Sequence, residues 1–159
     1  MINVYPDGAC KGNPGVGGYA AVIVFDNPEK DIKIIAGGEP RSTSNRMEIT
    51  AALVALSWIY DNCPNEEVTV YSDSQYTVRA INDSWLEKWI DKDFKNIKNK
   101  DLWLRLYKYV CKLKVNFVWV KGHNGDVFNE LADKIASDAT YYQGVPVDYK
   151  TVSKLTKQL

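Results

Sequence analysis

The chain has no net charge, because 20 lysines and arginines are matched by 20 aspartates and glutamates. That balance gives no hint of a polyanionic partner. Its three cysteines, Cys10, Cys63 and Cys111, are odd in number, far apart and without zinc-ligand spacing. A disulfide framework and a cysteine-zinc module are therefore excluded, and a reduced, cytoplasmic protein is expected. No apolar run approaches membrane-spanning length, so no membrane association is expected. The first residues, MINVYPDGA, have no basic segment followed by an apolar one, which argues against secretion. Repeats and low-complexity tracts are also missing. What remains is one ordinary globular domain of 159 residues, long enough to bury a core, with 45% hydrophobic and 25% charged residues.

The neutral total hides a split. Residues 88–114 hold nine lysines and arginines against three aspartates, a surplus of six, so the rest of the chain carries the opposite surplus. Carboxylates gathered for metals and a separate basic segment for phosphates would produce this. A solvated lysine-rich helix would produce the basic half alone.

Periodicity orders the elements. Residues 1–7 read as a strand ending at Asp7, and the glycine-rich stretch Gly8–Gly18 as a turn. Tyr19–Phe25 and Ile32–Ala36 are apolar, strand-forming runs. Ile49, Ala52, Leu53, Leu56, Ile59 and Tyr60 follow a helical period, closed by Pro64 and Asn65. Val68–Ser72 is a strand ending at Asp73. Helices are expected at 75–82, 84–92 and 101–113, a strand at Val115–Val120, and a last helix at 127–141 with Leu131, Ala132, Ile135, Ala136 and Ala139 turned inward. This order predicts an α/β fold, a mixed sheet with helices on both faces. In such sheets, ligand sites lie at strand ends.

Four acids stand in settings that belong together: Asp7 in YPDGACKGNPG, Glu48 in TSNRMEI, Asp73 in YSDSQY and Asp133 in GHNGDVFNELAD. Singly, each has a plain explanation. Asp7 suits a turn, and Glu48 suits a capping box with Asn45 as the cap. Jointly they suit hard divalent cations, which need several carboxylates on rigid elements. His123 is the single histidine and lies in a glycine-flanked loop ten residues before Asp133. It suits proton transfer better than metal ligation beside oxygen ligands, and a surface loop histidine is the competing account. Thr43, Ser44 and Asn45 gather at a helix start, where phosphates bind and where simple capping is equally at home.

The segments DGACKGNPGVGGYA, STSNRMEITAALVAL, YSDSQYTVRAI and VKGHNGDVFNELAD resemble those of ribonuclease H, type 1, in the same order and close to the bacterial enzymes. The resemblance implies a ribonuclease H-like five-stranded sheet, three strands antiparallel and then two parallel. It implies hydrolysis of the RNA strand of RNA–DNA hybrids, leaving 5′-phosphate and 3′-hydroxyl ends. Asp7, Glu48, Asp73 and Asp133 would bind two Mg²⁺, or Mn²⁺ in their place, with Asp7 bridging, and His123 would play an auxiliary part. Cys10, Gly12, Asn13, Asn45 and Gln75 would meet the substrate, and Thr43 and Ser44 with Asn45 would hold a DNA-strand phosphate. Lys88, Lys92, Lys95 and Lys98 would form a DNA-strand grip, shorter than in the best-known bacterial members and diluted by Glu87, Asp91 and Asp93. Ser44 stands where many relatives carry asparagine. The expected domain is 1–141, acting as a monomer. In the extension 142–159, Val152, Leu155 and Leu159 make a weak helical stripe, compatible with packing on the domain, with binding another protein, or with fraying. A non-catalytic hybrid-binding module and a DNA nuclease or strand-transferase of the same superfamily are the rival readings.

Overall fold

Residues 20–24, AAVIV, are apolar without a break, and a strand presents alternate side chains to opposite faces. Such a strand needs cover on both sides. The computed structural model, which describes residues 1–26, 32–122 and 125–139, provides it. The elements are β1 (Ile2–Gly12), β2 (Gly15–Val24), β3 (Ile32–Ser42), α1 (Ser44–Asn62), β4 (Glu67–Ser72), α2 (Gln75–Asn82), α3 (Trp85–Asp91), α4 (Lys100–Lys112), β5 (Lys114–Trp119) and α5 (Val127–Ala139). The sheet order is β3-β2-β1-β4-β5. The β1–β2 and β2–β3 pairs are antiparallel; β1–β4 and β4–β5 are parallel. This is the mixed α/β sheet that the sequence predicts.

Ala21 and Ile23 of β2 join Ile49, Leu53, Leu56 and Ile59 of α1 in one core, together with Trp103 and Leu106 of α4. Ala20, Val22 and Val24 face the other way, onto Leu131, Ala132, Ile135, Ala136 and Ala139 of α5. The inward residues expected of the last helix are thus the ones that α5 buries. Burying a leucine-sized side chain contributes about 1.5–3 kcal/mol, so these two cores set the relative position of strands and helices.

Two local expectations are overturned. The stretch Gly8–Gly18 is mostly strand, not turn. β1 continues past Asp7, pairing Asp7 with Ala20 and Gly12 with Gly15, and the reversal is confined to Gly12–Gly15, with Gly12 at φ +85°. Gly8 and Gly17 answer to packing. A Cβ on Gly8 would lie 2.5 Å from the Glu48 backbone nitrogen. The second correction concerns capping. Thr43, not Asn45, caps α1, its hydroxyl accepting the Arg46 N–H at 3.2 Å. Glu48 therefore lies beyond the capping turn, and its carboxylate has no capping duty to share.

Candidate active site

β1 pairs with β4 only as far as Val4↔Val70, while its pairing with β2 runs on to Gly12. The two parallel strands part there. Asp7 and Asp73 each lie three residues beyond that last pair, at the same level of the sheet edge. Asp73 sits between β4 and α2, and its backbone is pinned from both sides. Its carbonyl accepts the Trp119 indole N–H at 3.1 Å, and the preceding Ser72 carbonyl accepts the Val120 N–H at 2.9 Å. Ser74 then caps α2 by accepting the Thr77 N–H. Glu48 arrives from α1, which the bare Cα of Gly8 allows to lie directly on β1.

These three elements bring Asp7, Glu48 and Asp73 together, with one carboxylate oxygen from each within 4.8 Å of the others. Asp7 is 3% exposed. Burial, then the charges of Asp73 and Asp133, push its carboxyl up to about 8. Burial, then the charge of Asp7 and that of Asp73, push Glu48 well above the carboxylate range. At about 5 Å and an effective dielectric of about 20, each ionised pair repels by about 3 kcal/mol. The cluster cannot hold all its negative charge without a counter-charge. One buried oxygen, Glu48 Oε2, has no hydrogen-bond partner in the protein. Convergent, desolvated carboxylates with an unsatisfied oxygen fit a hard divalent cation.

Asp133, half-buried on α5, stands near enough to Asp7 to add to its upward shift by hydrogen bonding and by charge. His123 and the segment 142–159 lie outside the described residues.

The remaining sequence candidates divide. Asn13, Thr43 and Asn45 line a groove of about 330 Å³, together with Tyr76, Asn96, Ile97, Lys98 and Asn99. Ser44 is exposed, and its N–H donates to Asn13 Oδ1 at 3.0 Å. Cys10 turns its thiol toward the carbonyls of Gly15 and Ser42, at 3.5 and 3.4 Å. Gly12 and Gln75 are exposed outside the groove lining, as are Lys88, Lys92 and Lys95; of the four lysines, Lys98 alone lines it. Trp85 and Trp89 pack 6.3 Å apart, and Trp89 meets Tyr76 and Trp103, so both belong to the floor under this region. Sequence reasoning missed Tyr76, Asn96 and Asn99. Asparagines between lysines were a signal: Asn96 and Asn99 adopt φ of +62° and +67°, a backbone state that asparagine tolerates better than most residues.

The RNase H family model matches residues 1–141. The chain belongs to the RNase H family. Ribonuclease H of Rippkaea orientalis is 42% identical over 152 residues, covering 92% of this chain and 90% of the relative. Ribonuclease H of Oleidesulfovibrio alaskensis is 40% identical, covering 93% and 96%. Among solved structures, LC9-RNase H1, described as a type 1 RNase H with the type 2 active-site motif, superposes with a TM-score of 0.82 at 28% identity, covering 96% of this chain and 79% of that one. LC11-RNase H1, solved in complex with an RNA/DNA hybrid, shares the fold with a TM-score of 0.67 at 21% identity, covering 89% and 97%.

Proposed function

We propose that this chain hydrolyses the RNA strand of RNA–DNA hybrids with two divalent cations, Mg²⁺ or Mn²⁺ in its place, held by Asp7, Glu48, Asp73 and Asp133. The observation that carries the reading is the meeting of Asp7, Glu48 and Asp73 within 4.8 Å. Bound divalent cations lower the pKa of a water and neutralise charge at the phosphate. The protein's part is to hold four carboxylates that repel one another. β1 and the β4–α2 junction fix Asp7 and Asp73 at one level, and Gly8 lets α1 press Glu48 against them. Asp7, 3% exposed, would be the ligand that both cations share. His123 serves proton transfer or release of the product phosphate. The groove holds a phosphate of the DNA strand through Thr43, Asn45 and Lys98, so that the paired strand is presented to the metals. The catalytic unit is residues 1–141, acting as a monomer.

The deciding experiment uses one labelled sequence as RNA–DNA hybrid, RNA duplex, DNA duplex and single-stranded RNA, in Mg²⁺ and in EDTA. Metal-dependent cutting confined to the RNA of the hybrid is expected. Hybrid binding without cutting in Mg²⁺ or Mn²⁺ would replace the enzyme by a binding module, and cutting of DNA duplex would point to a DNA nuclease.

A further inference from the structure

The groove beside the cluster has a hydrogen-bonding sign, set by what its side chains already bond. Asn13 Oδ1 accepts the Ser44 N–H at 3.0 Å. Thr43 Oγ1 accepts the Arg46 N–H at 3.2 Å. Asn99 Oδ1 accepts from Arg46 Nη1 at 3.1 Å. A guanidinium has no acceptor, so the Asn99 amide can face it only with its oxygen. In all three groups the bonded acceptor leaves donors to offer: two amide NH₂ groups and a hydroxyl proton. Lys98 in the same lining adds a positive charge. These three donor groups with Lys98 are complementary to an anion.

Arg46 engages two of those three acceptors, one through its backbone and one through its side chain. It does not act as a free cation itself. Its guanidinium forms a fork on Asp101, Nη1 to Oδ1 at 3.1 Å and Nη2 to Oδ2 at 3.0 Å. The fork joins the first turn of α1 to the first turn of α4. It also holds Asn99, whose φ of +67° is outside the comfortable range of most residues. The side chain of Arg46 is 28% exposed and that of Asp101 63%. A pair so exposed adds little to folding stability. Its geometry matters more than its energy.

We infer that Arg46, through its fork on Asp101 and its bond to Asn99, is a positioning residue for substrate: it engages the Asn99 amide oxygen, so that the NH₂ of Asn99 is offered to a backbone phosphate in the groove. The inference rests on the proposed action on hybrids. It makes Arg46 a determinant of binding and leaves the reacting phosphate to the carboxylates.

The test measures KM and kcat on an RNA–DNA hybrid in Mg²⁺, hybrid affinity in EDTA, and thermal melting, for the full chain and three variants. Arg46→Lys keeps the charge but loses the fork, and Arg46→Ala loses both. Asn99→Asp keeps an oxygen for Arg46 but removes the NH₂ donors. Each is expected to raise KM by about ten-fold, with kcat within about two-fold and melting little changed. The double variant Arg46→Lys/Asn99→Asp should bind no worse than the weaker single, since both remove the same donor. Unchanged KM in both Arg46 variants, a loss of kcat that follows loss of folded protein, or fully additive effects in the double variant would overturn the inference. If the parent chain cuts no hybrid, the proposed function fails, and the inference is then decided by affinity in EDTA alone.

Discussion

The carboxylates and the groove are supported differently. Asp7, Glu48 and Asp73 stand on β1, α1 and the end of β4, elements whose apolar faces are fully buried in the larger core. The groove's far wall, Asn96 to Asn99, belongs to the segment between α3 and α4, where Asp93, Phe94, Asn96 and Asn99 all have positive φ. Buried Phe94, 5% exposed, is its anchor to the core. Strained backbone of this kind costs about 1–3 kcal/mol per residue and persists where the surroundings enforce it. On the proposed function, chemistry is thus placed on the elements held by the core, because metal geometry tolerates little error. The proposed grip is on a segment tied down at a few points, by Phe94, by Arg46 and by the Lys100–Asp93 ion pair at 2.8 Å.

The comparison breaks most visibly at Asp73. Asp73→Asn keeps the shape of the side chain but removes its charge. Cleavage of hybrid should fall by on the order of a thousand-fold, while affinity for hybrid stays near that of the parent. A rate near the parental one would mean that the carboxylate cluster is not the reacting site.

A smaller effect is expected at Gly8, which tests whether rigidity itself is needed. A Cβ there meets the Glu48 nitrogen at 2.5 Å and the Met47 carbonyl carbon at 2.6 Å, both backbone atoms that cannot swing aside. Gly8→Ala should cost about 1–3 kcal/mol in urea unfolding and lower kcat more than it raises KM. The opposite pattern, an intact kcat and a raised KM, would show that α1 serves the groove and not the metals.

Metal-free stability should depend on pH in a direction set by the buried cluster. In the unfolded chain Asp7 titrates near 3.8, and in the fold near 8. Between those values the folded state holds more protons than the unfolded one, so stability falls as pH rises. In EDTA the melting temperature should drop between pH 5 and pH 8, and Mg²⁺ should recover the loss at pH 8 by binding the folded state. Asp7→Asn should flatten the EDTA profile. A melting temperature that rises across this window would show that the carboxylates are ionised and compensated without metal.

Much of this architecture is written in local patterns. The 3.6-residue spacing of Ile49 to Ile59 and of Leu131 to Ala139, and the unbroken apolar run of β2, each name their own buried faces. The four acids are legible through the motifs around them and not through their place in an element, since Asp7 lies inside β1 and Asp133 inside α5. What escapes the sequence depends on neighbours distant along the chain. The glycine stretch reads as a turn, since nothing local says that Gly8 lies under the backbone of Glu48. Thr43 and Asn45 are both good caps, and only the path of the chain entering α1 selects Thr43. Arg46 and Asp101 are 55 residues apart, so neither sequence context announces the other.

The lysines give the smallest expected effect and the clearest view of where the strand runs. All of Lys88, Lys92, Lys95 and Lys98 are exposed, and Lys98 lines the groove. A lysine that neutralises a phosphate releases about one counter-ion, so its removal should flatten the slope of log affinity against log salt by about 1. Lys98→Ala should do so, with only a modest loss of affinity near physiological salt. Lys88 lies on α3 beside Glu87 and near Asp91, acids that cancel its field at the distances where salt screens. Lys88→Ala should therefore change the slope less than Lys98→Ala. Equal slopes for the two variants would mean that the DNA strand extends over α3, and that the grip reaches well beyond the groove that Asn99 closes.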